Sequence, residues 1–375
     1  MLVASDQRRK PLDERTLGCS GYHMQTALMF LVVLLGTLAL PVVAGVIYQA
    51  IGTWRARRHF PHPGRLVRVN ERRMHINVTG EGTPTVVFES GMGASCLSWT
   101  LVQPRVAQFA RAVSYDRAGH GWSDPAREPR TARQIAQELH ALLNATGLLG
   151  PYVLVGHSFG GYVNLAFKYL YRDEVVGMVL VDSVHPAEWE NPTTEQLRMI
   201  EVGLRYAWIA AWLTRLGFVR FCLARLVRGS PRLGRAAASA FGGGTASAVQ
   251  RIAGEIRKLP APILPIVREL WSQPKNFLSL GQYVAALTVS AAQAAAVSSL
   301  GDLPLIVLSG NHHAAPYVDW QRDLAQLSSC GRHLVASDCG HWIHLDHSEL
   351  VTRAIRDVVT AAREAAWMLL RSARG

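Results

Sequence analysis

Residues Gly156-His157-Ser158-Phe159-Gly160-Gly161 carry the pattern Gly-x-Ser-x-Gly. The β-branched run Val153-Leu154-Val155 precedes it, and the helix-like run Tyr162-Val163-Asn164-Leu165-Ala166-Phe167 follows. Strand, sharp turn and helix in that order lift a serine hydroxyl clear of the end of a sheet, where it can attack a substrate as a nucleophile. The backbone of such a turn is strained, so Gly156 and Gly160 must lack side chains that would strike strand and helix. The competing reading is a chance Gly-x-Ser-x-Gly in an ordinary turn; a buried-type strand before it and a helix after it favour catalysis.

The elements that must position this serine alternate along the chain. Strands are expected at 66–70 and 74–79, paired as a hairpin, and at 85–89, 112–115, 152–155, 176–181, 303–308 and 333–336. Helices are expected at 99–110, at 131–146 with apolar spacing at Ile135, Leu139 and Leu142, and from Leu350 onward. Short strands alternating with longer helices predict an α/β chain: an eight-stranded, mostly parallel sheet with helices on both faces.

The chain has 375 residues, of which 49% are hydrophobic and 18% charged, a globular profile shifted toward membrane contact. Its net charge of +12 is uneven. Residues 1–75 hold eleven Lys/Arg against four Asp/Glu, and residues 186–300 hold thirteen against six, while the remainder is slightly acidic. The excess therefore lies outside the part that carries Ser158. No nucleic-acid-binding motif accompanies it, so a membrane surface is the better partner for these blocks, and nucleic acid is not expected. The five cysteines, Cys19, Cys96, Cys222, Cys330 and Cys339, have neither metal-ligand nor redox spacing. They predict no disulfide framework, no zinc site and no cofactor.

Residues 1–26 read as a polar tail. A charge-free run over 27–51 follows; as a helix it would span roughly 37 Å, enough to cross a bilayer. Arg8-Arg9-Lys10 and Arg55-Ala56-Arg57-Arg58 flank it, with Tyr48 and Trp54 placed as interface anchors. Val42-Val43-Ala44 resembles a signal cleavage site, but the long polar leader and the continuing apolar run favour an uncleaved anchor. The basic residues on its two sides are too nearly balanced to set its orientation. Residues 52–64 read as a linker, and 65–185 and 301–375 as two parts of one core. Between them, 186–300 reads as a helical cap over the C-terminal edge of the sheet, where ligands bind in open α/β folds. Within it, Arg220, Arg225 and Arg228 fall within about 140° of arc at helical spacing, which could make 218–228 an interfacial helix. An ordinary cap helix packed on the core is the other reading.

Five segments taken in order resemble the α/β-hydrolase superfamily. They are Glu89-Ser90-Gly91-Met92-Gly93, Tyr115-Asp116-Arg117-Ala118-Gly119-His120-Gly121-Trp122-Ser123, the Ser158 segment, Val181-Asp182-Ser183-Val184-His185-Pro186, and Cys339-Gly340-His341-Trp342-Ile343-His344-Leu345-Asp346. The resemblance covers roughly 65–185 and 301–360 and implies the α/β-hydrolase fold, with the cap as its variable insert. It implies His341 as the base that takes the Ser158 proton, with His344 and His347 as nearby competitors and His157 as a packing residue. It implies the N–H groups of Phe159 and Met92 as oxyanion donors. Ser90-Gly91-Met92-Gly93 stands where the family's commoner loop is a His-Gly run.

The resemblance places the acid of the triad after the seventh strand in most members. Here that stretch is Gly310-Asn311-His312-His313, with His313 at the expected position. Some members carry the acid after the sixth strand, which implies Asp182; Asp319 is the alternative, and Asp116 and Asp338 are read as structural. A serine at the elbow separates the chain from the haloalkane dehalogenases and epoxide hydrolases of this fold, which use aspartate there. The implied function is a membrane-anchored serine hydrolase acting on an ester-like, small-molecule acyl substrate, lipid or otherwise apolar. A peptidase, amidase or carbon–carbon bond hydrolase on a soluble substrate is one alternative, and a non-catalytic binding protein another.

Overall fold

The computed structural model describes residues 14–227, 258–311 and 315–372. Its centre is an eight-stranded sheet in the order β1-β2-β4-β3-β5-β6-β7-β8. β1 (Arg65–Val69) and β2 (Arg72–Thr79) form an antiparallel hairpin at one edge, and β2 pairs antiparallel with β4 (Ala112–Tyr115). The remaining neighbours are parallel: β3 (Thr85–Glu89), β5 (Tyr152–His157), β6 (Val175–Val181), β7 (Leu305–Gly310) and β8 (Gly331–Ala336). β3, β5 and β7 are buried at every residue, as strands covered on both faces must be. Side chains alternate between the two faces. Val87, Leu154 and Leu180 pack on α3 (Ala132–Ala145) and α4 (Gly160–Leu170). Val86, Val153 and Val179 face Val351, Ile355 and Val358 of the C-terminal helix. Each such buried side chain contributes about 1.5–3 kcal/mol.

Two expectations need correction. First, α1 (Glu14–His59) is one continuous helix, so 52–59 is helical and only 60–64 connects it to the sheet. No helix breaker stands between Trp54 and Phe60, and Pro61 then disfavours helix at the residue before it. Second, the helix expected over 99–110 is a single 3-10 turn at Cys96–Trp99 and a four-residue α2 (Gln103–Val106). Pro104 has no N–H to give to the preceding turn and fits best in a first turn, so the helix starts afresh at Gln103 with Pro104 in its first turn. The Gln103 side chain instead clasps β2 and β4, donating to Asn77 O at 3.1 Å and Ala112 O at 3.2 Å and accepting from Ser114 Oγ at 2.6 Å.

The cap is helical. Its described part comprises α5 (Thr194–Arg215), α6 (Phe218–Val227), α7 (Leu264–Trp271), α8 (Pro274–Ala285) and α9 (Leu287–Ala295). Thr193 and Gln196 close a reciprocal capping box at the start of α5. Gly217, at φ +74°, ends that helix, and α6 leaves at 91°. α9 is pinned to the core, because Ser290 Oγ and Gln293 Oε1 accept from the first N–H groups of α3, those of Ala132 and Arg133, at 3.1 and 2.9 Å. Lys275 of α8 donates to Gly121 O and Ser123 O at 2.7 and 2.6 Å.

The face expected to present Arg220, Arg225 and Arg228 does not open to solvent as one stripe. Arg220 is buried and paired with Glu269 of α7. Arg225 lies over the Phe221 ring, and Arg228 falls outside the described residues.

Candidate active site

Parallel register brings the C-terminal ends of β3, β5, β6 and β7 side by side, with Glu89 opposite Gly156, His157 opposite Val181, and Val181 opposite Leu308. Ser158 leaves β5 with φ +54°, a left-handed conformation that costs a non-glycine residue about 1–3 kcal/mol. The turn is held by Ser158 N donating to Val181 O at 3.1 Å, and by Gly161 N donating to Ser158 O at 3.0 Å. The glycine requirement is steric. A Cβ on Gly156 would sit 2.8 Å from the Gly160 carbonyl carbon, and one on Gly160 would sit 2.5 Å from Glu89 O. The hydroxyl of Ser158 has no hydrogen-bond partner among the described residues and is half-exposed at the sheet edge.

Asp182 follows β6 and also adopts a left-handed backbone, at φ +45°. It is fully buried. Its N–H donates to Leu308 O at 2.7 Å, Oδ1 accepts from Gly310 N at 3.3 Å, and Oδ2 lies 2.6 Å from His341 Nδ1. The structure thus brings together the strand-6 acid and the histidine that the resemblance implied. Asp319, the alternative acid, sits on α10 (Ala315–Gln326), exposed and bonded to Arg322 at 2.7 Å. His313 lies outside the described residues. Asp116 is buried away from Asp182; it accepts from Cys96 N and Trp122 N and pairs with His75 Nδ1 at 2.9 Å. Asp338 is exposed.

His341 is supported from behind. His157 Nε2 donates to His341 O at 2.9 Å, and its ring packs 4.6 Å from that of His341 and 4.3 Å from that of His344. Burial pushes the His157 pKa well below its usual value, with the neighbouring histidines adding to the shift, so its ring is neutral. His344 is likewise lowered by burial, to about 3, and bonds Ser98 Oγ at 3.1 Å. His347 follows the short α11 (Ile343–Asp346) and leads into α12 (Ser348–Ser372). Gly310 makes room for the histidine loop, because a Cβ there would come 2.5 Å from Cys339 O and 2.6 Å from Gly340 O.

The loop after β3 folds over the elbow. A Cβ on Gly91 would lie 3.4 Å from Ser158 Cβ and 2.9 Å from His157 Nδ1. Arg117, buried, donates from Nε to Glu89 Oε1 at 2.6 Å and from its terminal nitrogens to Ser90 O and Gly91 O. Tyr115 OH completes the pair by donating to Glu89. In a trans peptide C=O and N–H point in opposite directions. Gly91 O turned toward Arg117 NH1, at 3.4 Å, and Ala94 N, at 3.3 Å, therefore turns Met92 N–H away from both. Neither Met92 N–H nor Phe159 N–H donates to a partner among the described residues. Arg117 and Glu89 had no assigned role in the sequence reading, although both lie in segments that carry the resemblance; a buried Arg–Glu pair is visible only when β3 and β4 are seen side by side.

A second buried group joins the chain entering the sheet to the core. His75, Cys96 and Asp116 bring ligand-type atoms within 4.8 Å of one another. His75 Nδ1 bonds Asp116, Nε2 bonds Pro63 O, and burial holds the Cys96 thiol protonated. The donor set is that of a closed hydrogen-bonded pin.

Comparison with known proteins follows this geometry. The model of the alpha/beta hydrolase family matches residues 86–354, and the chain belongs to that family. Among curated proteins it is 36% identical over 103 residues to YqjL of Bacillus subtilis, covering 28% of this chain and 41% of that one. It is also 36% identical over 104 residues to an AB hydrolase superfamily protein of Gibberella zeae, covering 27% and 32%. The matched stretches thus span less than half of either relative. Among solved structures, the epoxide hydrolase CorEH superposes with a TM-score of 0.59 at 19% identity, over 79% of this chain and 98% of that one. A thermophilic esterase from Thermogutta terrifontis gives 0.56 at 20% identity, over 80% and 98%. At these identities the likeness is one of fold.

Proposed function

We propose that the protein is a serine hydrolase that cleaves an ester-like acyl substrate through an acyl-enzyme on Ser158, with its catalytic domain held at a membrane by α1. Membership of a hydrolase family supports the reaction class. The observation that carries the residue assignment is the 2.6 Å contact between Asp182 Oδ2 and His341 Nδ1 beside a serine in a left-handed turn.

With its proton on Nδ1 facing Asp182, His341 keeps the Nε2 lone pair for the Ser158 hydroxyl. That hydroxyl attacks the acyl carbon while Nε2 takes its proton. The oxyanion is stabilised by the N–H groups of Met92 and Phe159, each worth about 3 kcal/mol in such a role. His341 then protonates the leaving alcohol, and water, activated by the same nitrogen, releases the acid. The unpaired Ser158 hydroxyl fits a free enzyme, in which catalytic hydrogen bonds often tighten only when substrate arrives.

A membrane setting is supported by the Met24–His59 part of α1, whose most apolar window reaches a mean hydropathy of 2.7 with none of it buried. A fluorophosphonate probe tests the assignment: the protein labels, and Ser158→Ala abolishes labelling while the circular dichroism spectrum is kept. Equal labelling of both proteins would refute it.

A further inference from the structure

We propose that the α5–α6 bend of the cap is itself immersed in the bilayer beside α1, with its exposed aromatic side chains in contact with lipid acyl chains. This inference rests on the anchoring of α1 proposed above. The last charge-free stretch of α1 ends at Arg55. Ten residues earlier, about 15 Å along the helix axis, Gly45 meets the bend backbone to backbone. A Cβ on Gly45 would strike Leu216 O, and one on Gly217 would lie 2.6 Å from Gly45 O. Small residues at such a contact let two helical segments approach closely, as they do inside membranes. If α1 spans, Leu216 and Gly217 lie well below the level of Arg55-Ala56-Arg57-Arg58, within the hydrocarbon layer.

The chemistry of the bend fits that depth. α5 begins with Glu195, Arg198, Glu201 and Arg205, then runs without charge from Tyr206 to Thr214. The aromatic side chains left uncovered there and just beyond are Trp208, Trp212, Phe218 and Phe221, exposed by 61, 48, 54 and 46%. Gln49 and Arg220, the polar side chains between the bend and α1, are enclosed, while the exposed Arg225 lies over the Phe221 ring, on the far side of α6. Gln49 of α1 donates to Ser272 O at 2.7 Å and accepts from Arg220 Nε at 3.0 Å, and Arg220 also holds Glu269. A charge at membrane depth is tolerated when it is paired and turned away from lipid, and Arg220 is 4% exposed. Arg215 lies over the Trp212 ring and lines a groove of about 400 Å³ together with α1 residues from Val46 to Arg57, along which a long side chain can carry its charge toward the α1 arginines. The part of α1 from Gly45 to Thr53 is thus one wall of the domain, and the cap reaches down along it as far as Gly45.

Photocrosslinking of the full chain in phosphatidylcholine vesicles tests this. Benzoylphenylalanine replaces Trp208, Trp212 or Phe218, all exposed, so the fold is kept; Glu201 and Phe30 serve as water-side and α1 controls. Phospholipid adducts are expected at 208, 212, 218 and 30, and none at 201. Adducts at 30 but not at 208, 212 or 218 would overturn the immersed bend and leave the anchor standing. No adducts at 30, with the protein extracted by alkaline carbonate, would overturn both. Crosslinks from 212 to a second copy of the chain in place of lipid would show a dimer interface there and also overturn it.

Discussion

The C-terminal edge of the sheet and the cap above it are joined by different kinds of contact. At the edge, backbone meets backbone, Gly160 against Glu89 and Gly310 against Cys339 and Gly340, and Gly91 lies against the His157 ring. Nothing larger than hydrogen fits at Gly160 and Gly310, and of the three non-glycine residues held at positive φ there, Ser158, Asp182 and Asp338, the first two are the proposed nucleophile and acid. In the cap, side chains reach across to partners far away in the chain: Arg220 to Glu269 and Gln49, Lys275 to Gly121 and Ser123. The edge is therefore specified by residues that allow close approach, and the cap, apart from the contact of Gly217 with Gly45 of α1, by residues that bridge gaps. A substitution at the edge should act on chemistry, and one in the cap on stability and membrane seating.

The largest expected effect is at the edge. Ser158→Ala should lower turnover of p-nitrophenyl butyrate by roughly 10⁴-fold or more with the thermal midpoint little changed; a residual rate within tenfold of wild type would contradict the assignment. Asp182→Asn should cost about 10³–10⁴-fold, because the wrong tautomer of His341 would then be favoured, whereas Asp319→Asn should leave the rate unaltered. Reversal of that order would move the acid to Asp319. In the cap, Arg220→Met removes the partner of Glu269 Oε2, while Oε1 keeps Arg268 at 2.6 Å, and should cost about 1–3 kcal/mol of stability, largely recovered in Arg220→Met/Glu269→Leu. Thermal unfolding in detergent measures it, and a double variant no better than the single one would show that the pair is not the cause.

The smallest effect is a pH slope. His120, His157 and His344 are held neutral by burial, with His120 and His344 at about 3. Unfolded, each would titrate near 6.5. Between those values the unfolded chain binds more protons, so stability falls as pH drops from about 6.5 toward 3. Urea midpoints between pH 7 and 4 should show this, with a shallower fall in His344→Phe; an unchanged slope in that variant would exclude His344 as a contributor.

The contrast also explains what could be read from the chain alone. All eight strands and the elbow were legible, because their signals are local: β-branched runs and a glycine pattern. The acid was not local in this way: the resemblance offered Asp182 with Asp319 as the alternative, and the contact of Asp182 with His341 is seen only when the ends of β6 and β8 are brought to the same edge. The cap arginines were not legible either. Helical spacing grouped Arg220 with Arg225 and Arg228, but spacing does not say what covers a face, and Arg220 is covered by Glu269 and Gln49, which arrive from 49 and 171 positions away. The same limit hid the Arg117–Glu89 support under Met92. The failed helix at 99–110 has a local cause in Pro104, and a reading that weighed it would have stopped there.

The bonds of α8 and α9 to the core carry a mechanical consequence. Ser290 and Gln293 serve as the missing acceptors for the first turn of α3, and Lys275 holds the loop after β4. Raising that half of the cap would leave helix donors and a lysine ammonium without partners at once. These bonds make lifting of the α8–α9 side costlier than movement of the rest, so a widening of the way to Ser158 is favoured as a pivot about that side.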